Sequence, residues 1–85
     1  MFKFTEGDVV AHREGRPDLD LRIGGLGVVW CMYEATPPAY EVTFWDSNNQ
    51  SFDLLVYEDE VAATGHTAPV FERPASEQEA AAPAA

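Results

Sequence analysis

The chain has 85 residues, of which 46% are hydrophobic and 12% aromatic, and it carries 15 acidic against five basic side chains. The formal net charge of -10 argues against nucleic-acid binding, because phosphate contacts depend on Lys and Arg. This length predicts a single domain with a small core. An acidic surface steers a protein towards a basic partner, although acidity also serves solubility alone.

The compartment follows from the cysteine content and from the first residues. The single Cys31 cannot form an internal disulfide, and MFKFTE at residues 1–6 lacks the apolar run of a signal peptide. No uninterrupted apolar segment approaches the roughly 20 residues of a membrane helix. We therefore expect a cytoplasmic protein that has no membrane partner.

Four segments in chain order have the β-branched and aromatic composition of strands. They are Asp8–His12 (DVVAH), Leu26–Tyr33 (LGVVWCMY), Tyr40–Asp46 (YEVTFWD) and Gln50–Tyr57 (QSFDLLVY). Pro37 and Pro38 separate the second strand from the third, because proline lacks the amide donor that a ladder needs. Asn48 and Asn49 suit a tight turn between the third strand and the fourth.

The last two predicted strands form a hairpin with a defined register. Pairing Asp46 with Gln50 predicts one continuous apolar face, made by the opposed pairs Phe44–Phe52, Val42–Leu54 and Tyr40–Val56. The reverse face is mixed in character and is either covered by the rest of the domain or exposed as a binding surface. It carries Glu41, Thr43, Trp45, Ser51, Asp53, Leu55 and Tyr57.

The second strand does not alternate, so its inward face stays open, and a bulge near Gly27 would accommodate bulky groups on both faces. These strands, the long polar first loop and the corner glycines predict an all-β fold, a small SH3-like antiparallel barrel of about five strands. Residues 1–73 would form this domain. Residues 74–85 (PASEQEAAAPAA) contain no large apolar side chain and are expected to be a disordered tail.

Residues 2–62 resemble the small bacterial proteins filed as domain of unknown function 4926. The similarity rests on GDVV at residues 7–10, GLGVV at 25–29, YEVTF at 40–44 and LLV at 54–56. It implies an SH3-like barrel, and it supplies no catalytic residues. Members of that family are often encoded beside small toxin genes, which implies an antitoxin or immunity role.

No catalytic or metal centre is expected. His12 and His66 lie far apart in sequence and are expected at the surface or at the barrel edge. Cys31 has no neighbouring His, Lys or Arg to lower its pKa, so it is interpreted as a packing residue. Glu58-Asp59-Glu60 lacks the spacing and the glycine of a calcium loop and is expected to be a solvated turn. We therefore predict neither an enzyme nor a cofactor.

Protein binding is the expected function, because large aromatic side chains dominate binding hot spots and charges form the rim around them. The alternative for the two tryptophans is a place in the core. The candidate partner-binding residues are Trp30, Trp45, Tyr57, Glu58, Asp59 and Glu60.

Two functions are consistent with these residues. The first is a non-catalytic protein-binding module, an antitoxin, immunity or accessory protein that covers a basic partner protein encoded nearby. The alternative is an SH3-like accessory subunit or metallochaperone of an enzyme, similar to the β-subunit domains of nitrile hydratases. Free strand edges also allow a homodimer by sheet extension.

The composition of the tail leads to a first prediction. Deleting residues 74–85 should change the free energy of unfolding by less than about 1 kcal/mol, because these side chains bury almost nothing. Chemical denaturation of the full and shortened chains measures the difference. A larger loss of stability would show that the tail packs on the domain.

Overall fold

The computed structural model describes residues 2–68, which form five antiparallel strands in one sheet. The strands are β1 (Asp8–His12), β2 (Leu26–Tyr33), β3 (Ala39–Trp45), β4 (Ser51–Tyr57) and β5 (Val61–Thr67). Short 3-10 turns occupy Pro17–Leu19 and Glu58–Glu60. The strand order is β4-β3-β2-β1-β5, so β4 and β5 are the two edges. The all-β expectation is confirmed, whereas the predicted tail, residues 74–85, lies outside the described residues.

The hairpin register predicted from the sequence is confirmed. Phe44 pairs with Phe52, and the flanking pairs of β3 and β4 continue without a shift. The turn is held by Asp46, whose Oδ1 accepts hydrogen bonds from the backbone N–H groups of Asn48 and Gln50, each at 2.9 Å. Asn49 adopts a φ of 63°, in the left-handed region that asparagine tolerates.

The bulge in β2 lies further along the strand than predicted. The register with β3 shifts between Val29 and Cys31, which makes Trp30 the extra residue, so the expectation of a bulge near Gly27 is wrong. Gly27 has a different role. A Cβ at this position would lie 2.6 Å from atoms of both Val42 and Phe44, because these core side chains fill the space beside the glycine.

β5 completes the sheet by pairing with β1. The register between the two strands shifts between Val9 and Val10, and the irregular segment of β5 contains Thr64 and Gly65. Gly65 has a φ of 82°, and the Thr64 hydroxyl donates a 2.7 Å hydrogen bond to the carbonyl of Val9. This strand was not among the four segments predicted, because Val61–Thr67 is rich in small and polar residues.

The core lies against one face of the sheet and is closed by residues from outside the strands. Phe4 and Leu21 join the buried strand residues Val10, Val29, Tyr40, Val42, Phe44, Val56 and Val61. No helix among residues 2–68 is long and apolar enough to cross a membrane.

His12 belongs to this interior, so the expectation of a surface or edge histidine is wrong for this residue. It is only 3% exposed, and its ring lies edge-on to Phe44, with centroids 5.8 Å apart. Its Nδ1 accepts a 2.9 Å hydrogen bond from the N–H of Gly15. The imidazole therefore anchors the start of the first loop, which is residues 13–25 between β1 and β2. His66 on β5 is exposed, as expected.

The different burial of two paired phenylalanines leads to a second prediction. Phe44 is fully buried, whereas Phe52 packs on the core but is half-buried. Phe44→Ala should lower the free energy of unfolding by about 3 to 5 kcal/mol, because it leaves a closed cavity. Phe52→Ala should cost about half as much, because less of its surface leaves water on folding. Urea denaturation measures both, and equal losses would contradict this account of the core.

Candidate functional site

Five large apolar side chains lie exposed on the face of the sheet that points away from the core. Their exposed fractions run from 41% to 56%, so a partner could contact each of them. This surface, called the outer face below, carries Leu26 and Tyr33 of β2, Trp45 of β3, and Leu55 and Tyr57 of β4. The strand pairing places all five on the same face, because side chains of one strand alternate between the two faces.

One end of the outer face is built around two tyrosines. Tyr33 and Tyr57 flank Ala39, which pairs with both, and Leu55 lies beside them opposite Glu41. The Tyr33 hydroxyl donates a 2.6 Å hydrogen bond to Oε1 of Glu41, and this carboxylate raises the pKa of the tyrosine. The hydrogen bond fixes the Tyr33 ring at the surface, so less conformational entropy is lost when a partner packs on it.

The other end of the outer face adjoins a cleft. Trp45 and Leu26 line it together with Arg22 and Asp20 of the first loop, and its volume is about 510 Å³. The cleft is bounded by a link between the first loop and the β3–β4 turn. Asp20 accepts hydrogen bonds from the side chain and the backbone N–H of Ser47, which together lower the pKa of this carboxyl group.

The acidic turn Glu58–Glu60 is only partly a solvated turn. Glu58 Oε2 accepts hydrogen bonds from the hydroxyl of Tyr40 and, at 2.9 Å, from the backbone N–H of Lys3. The hydrogen bond from Tyr40 is the main reason that the pKa of Glu58 is lowered. Glu60 accepts a 2.6 Å hydrogen bond from the N–H of Tyr57. The expectation of a merely solvated turn is therefore wrong for Glu58, whereas Asp59 is exposed.

The candidate residues predicted from the sequence do not all meet. Trp45 pairs with Ser51 and Tyr57 with Ala39, so the two aromatic rings start from opposite ends of the hairpin, about 20 Å apart along the strands. Tyr57 leads directly into the acidic turn. Trp30 is half-buried at the β2 bulge, between the two ends.

Sequence reasoning did not place Leu26, Tyr33 or Leu55 among the candidate binding residues. Leu55 had a usable signal, since the predicted hairpin register already placed it beside Tyr57 on the reverse face. Leu26 and Tyr33 had none, because the position of the bulge decides which residues of β2 share that face.

Residues 2–68 contain no group of three or more His, Cys, Asp or Glu side chains placed to hold a metal ion. Cys31 is a half-buried free thiol opposite Glu41 on β3. His12 already uses Nδ1 within the first loop, and its Nε2 is buried without a hydrogen-bond partner among these residues.

No protein-family model, curated protein or solved structure matches the chain. The outer face, the acidic turn and the net charge are the features that point to a function.

The inward carboxylate leads to a third prediction. Folding lowers the pKa of Glu58, so the ionised carboxylate stabilises the fold at any pH above the ordinary pKa of a glutamate. This stabilisation is lost as the pH falls through the lowered pKa of the folded state. At neutral pH the free energy of unfolding of the wild type should exceed that of Glu58→Gln, and this difference should shrink between about pH 5 and pH 3. Denaturation of both proteins across this range measures it.

A matched control is the exposed Glu14 of the first loop, a group of the same chemistry away from Tyr40. Glu14→Gln should show a smaller pH-dependent difference from wild type. If Glu58→Gln differed from wild type by the same amount at every pH, the hydrogen bonds to Glu58 would not depend on its charge.

Proposed function

We propose that the chain is a non-catalytic protein-binding module, an antitoxin, immunity or accessory protein whose outer face covers a basic partner protein. One observation carries this proposal: five large apolar side chains are exposed on a single sheet face of a small domain. Exposed apolar groups concentrated on one face are typical of interaction surfaces, whereas apolar residues scattered singly need no explanation.

The charge around the outer face supports a basic partner. Glu41 and Asp53 lie between the apolar side chains, and Glu34 follows Tyr33 in the chain. Asp59 lies in the acidic turn two residues after Tyr57, beside Arg13. Arg22 at the tryptophan cleft is a basic group of the opposite sign. Since complementary potentials speed encounter and suppress wrong partners, this distribution favours a protein rich in Lys and Arg.

The antitoxin or immunity setting rests only on the sequence resemblance to domain of unknown function 4926, because genes of such proteins often neighbour small toxin genes. Under this proposal the partner is a basic protein encoded beside the chain. Blocking that protein's activity would require only a covered surface, which the outer face supplies without any catalytic group.

A fourth prediction separates the contributions of the aromatic anchors and the charges. Trp45→Ala and Tyr57→Ala should each speed dissociation of the partner by about 30-fold, equivalent to about 2 kcal/mol, at any salt concentration. Neutralising Glu34 and Asp59 together, as Glu34→Gln and Asp59→Asn, should slow association at low salt and have little effect at high salt. Glu58 is left intact because it holds the fold.

The partner is first recovered by co-purification with the full chain from its native cells and then purified for binding kinetics. Ile23→Ala is the matched control, since it removes an exposed apolar side chain of the first loop that lies outside the outer face. It should leave both rates unchanged, and thermal unfolding checks that every variant folds. If the partner dissociated from both Trp45→Ala and Tyr57→Ala at the wild-type rate, the proposal would be overturned.

A further inference from the structure

The edge strand β4 has a free side, because it pairs with β3 only and no strand among residues 2–68 lies on its other flank. Strand edges present unpaired N–H and C=O groups that can pair with another chain, and proteins protect them with bulges, prolines or lysines. The other edge, β5, has such protection, since its register is interrupted at Thr64 and Gly65.

β4 lacks these protections. All seven residues of the strand, SFDLLVY, pair with β3 without a shift, and none of them is proline, glycine or lysine. Asp53 is its one charged residue. The strand therefore offers a regular, uninterrupted edge to an incoming segment.

Side chains on both faces of β4 are left partly uncovered. Towards the core, Phe52 and Leu54 pack on the buried cluster yet remain half-buried. On the outer face, Leu55 and Tyr57 are about half exposed. A strand placed beside β4 would cover side chains on both faces at once, because successive residues of a strand point to opposite sides.

The negative charge around β4 indicates that a segment binding beside it is basic. Asp53 lies in the middle of the free edge, Glu41 is on the adjacent strand, and the acidic turn Glu58–Glu60 follows the strand directly. A second copy would bring this acidic edge against an identical one, in chains of formal charge -10. Lysine or arginine opposite Asp53 would make a favourable cross-strand pair.

We propose that the free edge of β4 binds an extended segment of the partner by strand addition. The segment has apolar residues at alternate positions, which cover Phe52 and Leu54, and Lys or Arg at the positions between them, one of which lies opposite Asp53. This inference rests on the proposed function for its basic partner, and it adds the backbone of β4 to the contacts made by the outer face.

The test uses the full chain and a synthetic peptide as long as β4, seven residues, in which lysine and valine alternate. Amide hydrogen exchange followed by NMR should report on the N–H groups of β4 that point away from β3. These should exchange at least about tenfold more slowly when the peptide is bound. A peptide in which glutamate replaces lysine should give no such protection.

Two sets of controls test whether the peptide pairs with the edge of β4 as a strand. Methylating the backbone nitrogens of one alternate set of peptide residues should abolish binding, and methylating the other set should not, because alternate N–H groups of a strand point to the same side. Asp53→Asn should weaken binding about two- to fivefold. Glu14→Gln, a neutralisation in the first loop beyond β1, should leave it unchanged.

Each other outcome overturns the inference. Protection confined to β3 and the outer face would show that the peptide binds to the face, and the proposed function would stand. The proposed function would also stand if the peptide failed to bind while the native partner still bound. If the edge N–H groups of β4 were already protected from exchange in the protein without peptide, the edge would be occupied by this protein itself. If that protection grows with concentration, the occupant is a second copy, and if not, it is the chain's own residues 69–85.

Discussion

The hydroxyl group of Tyr40 joins three parts of the chain that are distant in sequence. It accepts hydrogen bonds from the backbone N–H groups of Lys3 and Phe4, at 3.0 and 3.3 Å, and donates one to Glu58. Because the Tyr40 side chain is fully buried, its hydroxyl must find partners inside the protein. The N-terminal segment and the acidic turn therefore close against β3, and the rings of Phe2 and Phe4 pack edge-on to Tyr40.

This closure explains why the acidic turn serves both structure and surface. Glu58 points to Tyr40 and fixes the turn, so the chain leaves β4 in a set direction and returns as β5 beside β1. Asp59, one residue on, remains exposed. Among residues 2–68 the same return path leaves β4 without a second neighbour, so this free edge is a consequence of how the sheet is completed.

The outer face and the free edge form one continuous surface, since Leu55 and Tyr57 belong to both. A partner that pairs with β4 would contact these side chains and the carboxylates around them in one binding event. Backbone pairing would supply orientation, apolar contacts would slow dissociation, and the charges would speed encounter. Contacts of these three kinds together would let a small domain bind its partner tightly.

Local patterns in the sequence were sufficient for β1, β2 and the β3–β4 hairpin. In the hairpin, an alternation of period two and the Asn48-Asn49 turn determine which residues face each other, and both signals lie within a few residues of one another. The same register already placed Trp45, Leu55 and Tyr57 on one face. That much of the candidate site was encoded locally.

Tertiary structure alone decided the rest. β5 has no apolar alternation and is a strand only because β1 offers it a partner. The burial of His12 against Phe44 and the inward carboxylate of Glu58 each depend on a contact between segments far apart in the chain. The position of the bulge at Trp30 depends on how β2 packs and pairs with β3. The sequence by itself determined the approximate extent of four strands and the register of the β3–β4 hairpin, because those choices are local. Which edge stays open was decided by long-range packing, because it depends on where the whole chain ends up around the core.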